Sequence, residues 1–298
     1  MKLGAIFPTT EIGDDPVGIR DWVQAAEGLG YDHVVLYDHV LSASHERRTP
    51  KLEGPYDEDD AFHEPLTTMA FMAACTERIG LATGVLILPQ RQTALVAKQV
   101  AEVDLLSKGR VRLGVGSGWN HVEYTALGAD FASRGERLGE QVELLRALFS
   151  ERLVDFDGKH HRVERAGLLP RARPDLPIWF GGFVGAAFER AARLGDGFLF
   201  GVPPRRTRRM LEDLRPRLER HGRRPDDFGL EAVVDFSHSP EDREADLAFW
   251  REAGGTHVSL RAMDTGAELL GGRRVGFSGA ADFIDALEIF RNQFDSVS

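Results

Sequence analysis

The sequence predicts an α/β fold: a closed (β/α)8 TIM barrel with insertions. Three observations predict it. Short β-rich apolar runs alternate with longer amphipathic runs eight times along the chain. The units use up residues 1–298 with no linker and no break in composition, so a single barrel domain is expected. Glycines also gather where several of the strands should end. Strands alternating with helices imply a parallel sheet, and eight units favour closure over an open doubly wound sheet.

Each element has its own signal. Leu3 to Phe7 is apolar and β-like. Ile19, Trp22, Val23, Ala26 and Leu29 then recur at helical spacing, and Gly30 closes that helix. His33 to Tyr37 is the second strand, followed by a long polar segment over roughly 40 to 63. Pro65 opens the next helix, as proline does in a first turn. Ile79 to Leu86 is the third strand, with Gly84 inside an apolar run, the mark of a bulge or a close approach. A helix with Val96, Val100, Val103 and Leu106 on one side leads to the fourth strand at Val111, Leu113 and Val115. Leu138, Val142, Leu145 and Phe149 mark another helix, and 154 to 163 reads as an inserted hairpin turning on Asp157-Gly158. The remaining strands are Pro177 to Phe180, Gly197 to Phe200, Leu230 to Val234 and His257 to Leu260. Helices separate them, one opening after Ser239 as N-cap with Pro240 behind it. Phe283, Leu287, Phe290 and Phe294 form the last apolar stripe.

Composition narrows the class. Hydrophobic residues make up 42%, enough for a large core. No apolar run approaches the ~18 residues of a membrane span. The first residues read as a strand and not as a leader, because no long apolar stretch or small-residue cleavage site follows. The one cysteine, Cys75, lies in an apolar helical run, which points to a reducing cytoplasm. A net charge of -10 argues against nucleic-acid binding.

Chemistry in such a barrel sits on the loops after the strand C-termini. The second strand runs into Asp38-His39, an imidazole able to move protons near neutral pH beside a carboxylate able to orient it. The alternative is that Asp38 caps local amides and His39 packs on the wall. The fourth strand runs into Gly114-Val115-Gly116-Ser117-Gly118-Trp119, whose alternate glycines let a flat ring or a phosphate approach the backbone, or merely allow tight packing. It is not a dinucleotide fingerprint, since Trp119 stands where the third glycine belongs. Gly181-Gly182 before a helix make a natural anion site. His160 and His161 are read as solvated on the hairpin, His63 as shaping a helix entry, and the Arg205–Arg209 cluster as a basic surface. No Cys/His cluster has metal-ligand spacing, so no metal is expected.

An ordered series of motifs then carries a resemblance. It runs from Tyr37-Asp38-His39 through His63-Glu64-Pro65-Leu66, Asp104 to Arg110, Gly114 to Asn120 with Glu123-Tyr124, Arg134 to Leu138 and Pro177 to Gly182 to Gly195-Asp196-Gly197. The series resembles the luciferase-like monooxygenase superfamily, and within it the branch of coenzyme F420-dependent oxidoreductases. The match covers residues 1 to about 200 and weakens in the last third.

The resemblance implies a luciferase-like barrel, often dimeric, that binds FMN or the deazaflavin F420. It implies His39 as proton donor or acceptor and Asp38 as a cofactor contact or as the orienter of His39. Gly84 and Val85 match a bulge with a non-prolyl cis peptide behind the ring, Gly116, Ser117 and Gly118 the loop beside it, and Gly181 and Gly182 the phosphate loop. Trp119 and Glu123 are expected in the substrate pocket. Some deazaflavin sugar dehydrogenases have a glutamate where this chain has Trp119. Substrate choice is expected from the loop after the first strand, from 40 to 63, and from 261 to 278 around Met263 and Leu269-Leu270. The function implied is hydride transfer between F420 and a small organic substrate, in a cytoplasmic homodimer with a possible separate cofactor reductase. The alternatives are an FMN-dependent monooxygenase using reduced flavin and oxygen, and a non-catalytic flavin- or deazaflavin-binding protein.

Overall fold

A computed structural model describes residues 1–296, the side chain of Pro225 apart. The strands are β1 (Lys2–Ile6), β2 (His33–Leu36), β3 (Gly80–Thr83), β4 (Leu86–Ile87), β5 (Val111–Gly116), β6 (Val154–Asp157), β7 (Arg162–Ala166), β8 (Ile178–Gly181), β9 (Gly197–Leu199), β10 (Gly229–Asp235) and β11 (His257–Arg261). The helices are α1 (Pro16–Gly28), α2 (Pro65–Cys75), α3 (Thr93–Leu106), α4 (His121–Ala126), α5 (Arg134–Ser150), α6 (Gly185–Leu194), α7 (Arg208–Arg220), α8 (Pro240–Glu252) and α9 (Ala280–Ser296).

The sheet closes. Strands β3, β2, β1, β11, β10, β9, β8 and β5 follow one another, and β5 pairs back onto β3. Every pairing in the ring is parallel. Side chains alternate along each strand. Leu3, Ala5, Val34, Leu36, Leu113 and Phe180 face outward into the core shared with the helices. Ile6, Val35, Ala82, Leu199 and Val233 face inward and, with Met263, form an apolar layer inside the barrel.

The third predicted strand breaks in two. Ala82 pairs with Arg112 and Leu86 with Val115, so four steps along one strand oppose three along the other. That is a one-residue bulge, and the Gly84–Val85 peptide within it is cis. The glycine inside the apolar run was the sequence signal for it.

Other elements depart from the sequence reading in detail. The hairpin forms, but its strands are joined by four residues from Gly158 to His161, not by a two-residue Asp-Gly turn. His161 is not solvated: Nδ1 pairs with Glu140 at 2.7 Å and Nε2 with Thr93 Oγ1 at 2.8 Å. Short α4 had no periodic signal. Ser239 caps α8 as expected, its hydroxyl accepting from the Asp242 amide at 3.1 Å.

The bottom of the barrel interior is polar. Glu231 on β10 is fully buried and meets His33 at 2.8 Å, Arg112 at 2.5 Å and the Ser259 hydroxyl at 2.5 Å. Burial alone would raise the Glu231 carboxyl, but Arg112 and His33 hold it far below the carboxylate range. Burial, with Arg112 nearby, lowers His33. Gly4 leaves the room this cluster needs, since a Cβ there would stand 2.3 Å from His33 Nε2. The cluster lies at the strand N-termini, the end of such a barrel that serves stability.

Candidate active site

The site begins at the C-terminal end of β2. The strand turns His33, Val35 and Tyr37 inward and ends, leaving Asp38 and His39 at the barrel mouth. Both are buried.

Asp38 does not orient His39. Its Oδ1 accepts from Arg91 Nη2 at 2.6 Å, and its Oδ2 from the Ile87 amide at 2.8 Å and from Arg91 Nε at 3.3 Å. Arg91 also reaches Glu64, the N-cap of α2, at 3.0 Å. Burial pushes the Asp38 carboxyl up, against the pull of Arg91 and the Ile87 amide. Asp38 therefore clamps the β3–β4 bulge to the end of β2, and both its oxygens are engaged within the protein.

The partner of His39 is Glu123. Asn120 caps α4 by accepting from the amides of Val122 and Glu123, which sets the helix against the mouth. Glu123 is 0% exposed. Its Oε2 lies 2.6 Å from His39 Nδ1, and its Oε1 accepts from the amides of Val40 at 2.5 Å and Leu41 at 3.2 Å. Burial would raise this carboxyl, but the His39 hydrogen bond and charge and the two amides hold it below its usual value. Glu123, expected in the substrate pocket, stands against His39 with its side chain fully buried. Among the described residues His39 Nε2 has no protein partner.

Two of the glycines pack against Val85. A Cβ at Gly116 would stand 2.4 Å from Val85 Cγ2, and one at Gly181 2.6 Å from Val85 Cγ1. The missing side chains make room for Val85. Gly118 has φ +60° and faces Ile87. The Ser117 carbonyl accepts from the Tyr124 hydroxyl at 2.8 Å. Gly182 has φ +150° and precedes α6, whose N-cap Val184 supplies no side-chain hydrogen bond. Phe183 and Val184 are exposed there.

The free side of His39 is walled by aromatic rings. Phe62, Tyr56 and Trp119 stand edge-on to the imidazole at centroid distances of 4.9, 5.4 and 5.4 Å. With Leu41, Ser42, Ala43 and Asn120 they line a narrow space too tight to admit a water molecule. Trp119 is one of the rings around His39, and Gly54 packs on it. A wider cleft of about 490 Å³ lies between Arg205, Arg206, His238, Asp242 and the Glu268–Gly271 turn. Leu270 joins that cleft to the apolar layer inside the barrel.

Sequence reasoning missed Arg91, Tyr56 and Phe62. Tyr56 and Phe62 lie in the polar segment 40–63, named for substrate choice but without periodicity to single out a residue. Arg91 carried no signal at all. Among the described residues no group of three or more His, Cys, Asp or Glu is placed to hold a metal ion, and no helix is long and apolar enough to cross a membrane.

The pattern of a family described as luciferase-like monooxygenase matches residues 1–286. An uncharacterized protein of Mycobacterium tuberculosis is 34% identical over 182 residues, which cover 60% of this chain and 63% of that protein. The chain thus spans somewhat less than two thirds of the length of that relative. An F420-dependent glucose-6-phosphate dehydrogenase of Nakamurella multipartita is 30% identical over 245 residues, covering 79% of this chain and 68% of the relative. Among solved structures, an F420-dependent secondary alcohol dehydrogenase in complex with an F420-acetone adduct superposes with a TM-score of 0.77 at 16% identity, covering 100% of this chain and 99% of the other. At that identity the likeness speaks for the barrel alone.

Proposed function

The chain belongs to the luciferase-like monooxygenase family, and on that footing we propose that it is an oxidoreductase moving a hydride between coenzyme F420 and a small organic substrate. The observation that carries this reading is His39. It sits at the barrel mouth with one ring nitrogen tied to a buried carboxylate and the other, among the described residues, free of protein partners. The relative from Nakamurella supports F420 over FMN.

The residues suit such a cofactor. The first turn of α6 lacks a side-chain cap, and its amides, at the positive end of the helix dipole, suit a phosphate next to Gly181 and Gly182. The bulge at Gly84–Val85 and the loop Gly116–Gly118 would flank the ring, above the apolar layer formed by Val35, Ala82 and Leu199. Bound there, the deazaflavin supplies a two-electron hydride donor or acceptor. His39 Nε2 takes the hydroxyl proton of an alcohol substrate as it is oxidised, or returns it to the oxygen of a carbonyl as that is reduced. Phe62, Tyr56 and Trp119 exclude water from that proton and hold a substrate close to it. Asp38 acts here through the bulge it clamps.

A homodimer, a separate cofactor reductase and a cytoplasmic location belong to the same reading. Phe71 on α2 and Leu95, Leu105 and Leu106 on α3 expose apolar surface of the kind a second copy covers.

The test is turnover. The protein is mixed with F420 and a panel of secondary alcohols, or with reduced F420 and ketones, enones and imines, while deazaflavin absorbance is followed. We expect turnover of at least one member, and a loss of about 100-fold or more in His39→Ala. Full turnover in His39→Ala would remove the proton role. Turnover only with reduced FMN and oxygen would replace the reading by the monooxygenase one. F420 binding without turnover across the panel would favour a non-catalytic binding protein.

A further inference from the structure

We propose that Glu123 is a positioning residue that fixes the tautomer of His39, and that the same carboxylate pins the start of the 40–63 segment over it. The catalytic consequence rests on the hydride-transfer reading above; the tautomer assignment stands apart from it.

An ionised carboxylate only accepts. Glu123 is kept ionised, its carboxyl held below the usual value despite burial. Everything within hydrogen-bond reach of it must then donate. Val40 and Leu41 do so through their amides to Oε1, and the Gln90 amide group approaches the same oxygen at 3.5 Å. His39 Nδ1, at 2.6 Å from Oε2, must likewise carry a hydrogen. In the neutral ring the lone pair is therefore on Nε2, the nitrogen facing the aromatic-walled space. His39 is thus ready to receive a proton there, and the imidazolium that results has its counter-charge already in contact. The other charged group nearby, Asp38, is paired with Arg91, which also reaches Glu64. Of the three rings around the imidazole, Phe62, Tyr56 and Trp119, Tyr56 carries a titratable group.

The two functions of the carboxylate make Glu123→Gln a sharp probe. Backbone amides cannot become acceptors. Gln must keep its carbonyl oxygen toward Val40 and Leu41, which turns its NH2 toward His39 Nδ1. Nδ1 must then accept, and the proton moves to Nε2. The substitution is nearly isosteric, so it exchanges the tautomer with little change in packing.

The experiment uses protein labelled with 15N in its histidine rings. The His39 signals are assigned by their loss in His39→Asn. In the wild type we expect His39 protonated at Nδ1, in Glu123→Gln protonated at Nε2, and in Glu123→Asp protonated at Nδ1 again. In turnover we expect Glu123→Gln to lower kcat by about 100-fold or more, with cofactor affinity kept within about threefold and partial rescue in Glu123→Asp. A wild-type His39 carrying its proton on Nε2 would overturn the proposal, and that spectrum needs no variant to fold. An unchanged tautomer in a folded Glu123→Gln would overturn it as well. If no substrate is ever turned over, the spectra still decide the proposal, so its failure and that of the hydride-transfer reading are distinguishable.

Discussion

Removing Arg91 is the sharpest stability test of how the mouth is built. Arg91→Met keeps the length of the side chain but deletes the guanidinium. Asp38 then keeps only its bond from the Ile87 amide, while its carboxylate stays out of reach of water, since its side chain is 0% exposed. Breaking one side of a buried ion pair costs about 3–5 kcal/mol, because the charge left behind is uncompensated. The lost contact to Glu64 adds little, since that side chain is 36% exposed. For a chain of this size the loss corresponds to a fall in Tm of roughly 10 °C. The assay is thermal and urea unfolding of the wild type, Arg91→Met, and Arg91→Met combined with Asp38→Asn. The double variant should recover most of the loss, because an amide oxygen still accepts from Ile87 and no charge remains. The deficit of the single variant should also shrink as pH falls, because an unpaired buried carboxylate takes up a proton. A cost below about 1 kcal/mol for Arg91→Met would refute the reasoning and return Asp38 to the cofactor.

Two further outcomes follow from the barrel interior. Burial, with His33 and Arg112 close by, lowers His257 to about 3, and burial lowers His33 too, so both are neutral in the fold near pH 7. A histidine with its folded pKa below the unfolded ~6.5 costs nothing above that pH and destabilises as pH falls through it. Glu231, held low, adds a loss at still lower pH. Unfolding from pH 7 to pH 5 should therefore show stability falling by about 2 kcal/mol from His257 alone, and His257→Gln should flatten that slope; a pH-independent stability would contradict the neutral assignment. On the other wall, Gly116→Ala should destabilise by about 1–3 kcal/mol through its clash with Val85, and Val85→Ala in the same chain should recover part of it. Equal stability of Gly116→Ala and the wild type in urea would show that the space is free for a ligand after all.

The barrel was legible because periodicity is local. Alternating and helical spacings announce each element from its own few residues, Ser239-Pro240 and Gly84 mark a cap and a bulge by their chemistry alone, and eight units leave few ways to close. The site was legible only as to where it lies. Asp38-His39 could be placed at the end of β2, but which residue holds which depends on partners far along the chain: Glu123 is 84 positions from His39, and Arg91 is 53 from Asp38. Adjacency in sequence suggested that Asp38 orients His39, whereas neighbouring side chains past a strand end point different ways and found different partners. Gly116 and Gly181 showed that a small residue was needed without showing what fills the space. Tyr56 and Phe62 wall the site from a segment with no repeat, where nothing separates a wall residue from a solvated one.

The most direct test of the central claim is an equilibrium titration of the purified protein with F420 and, separately, with FMN, followed by fluorescence. The account expects saturable one-site F420 binding at micromolar or lower concentration, with FMN at least about tenfold weaker, a difference of ~1.4 kcal/mol. Tight binding of FMN with no detectable binding of F420 would contradict it.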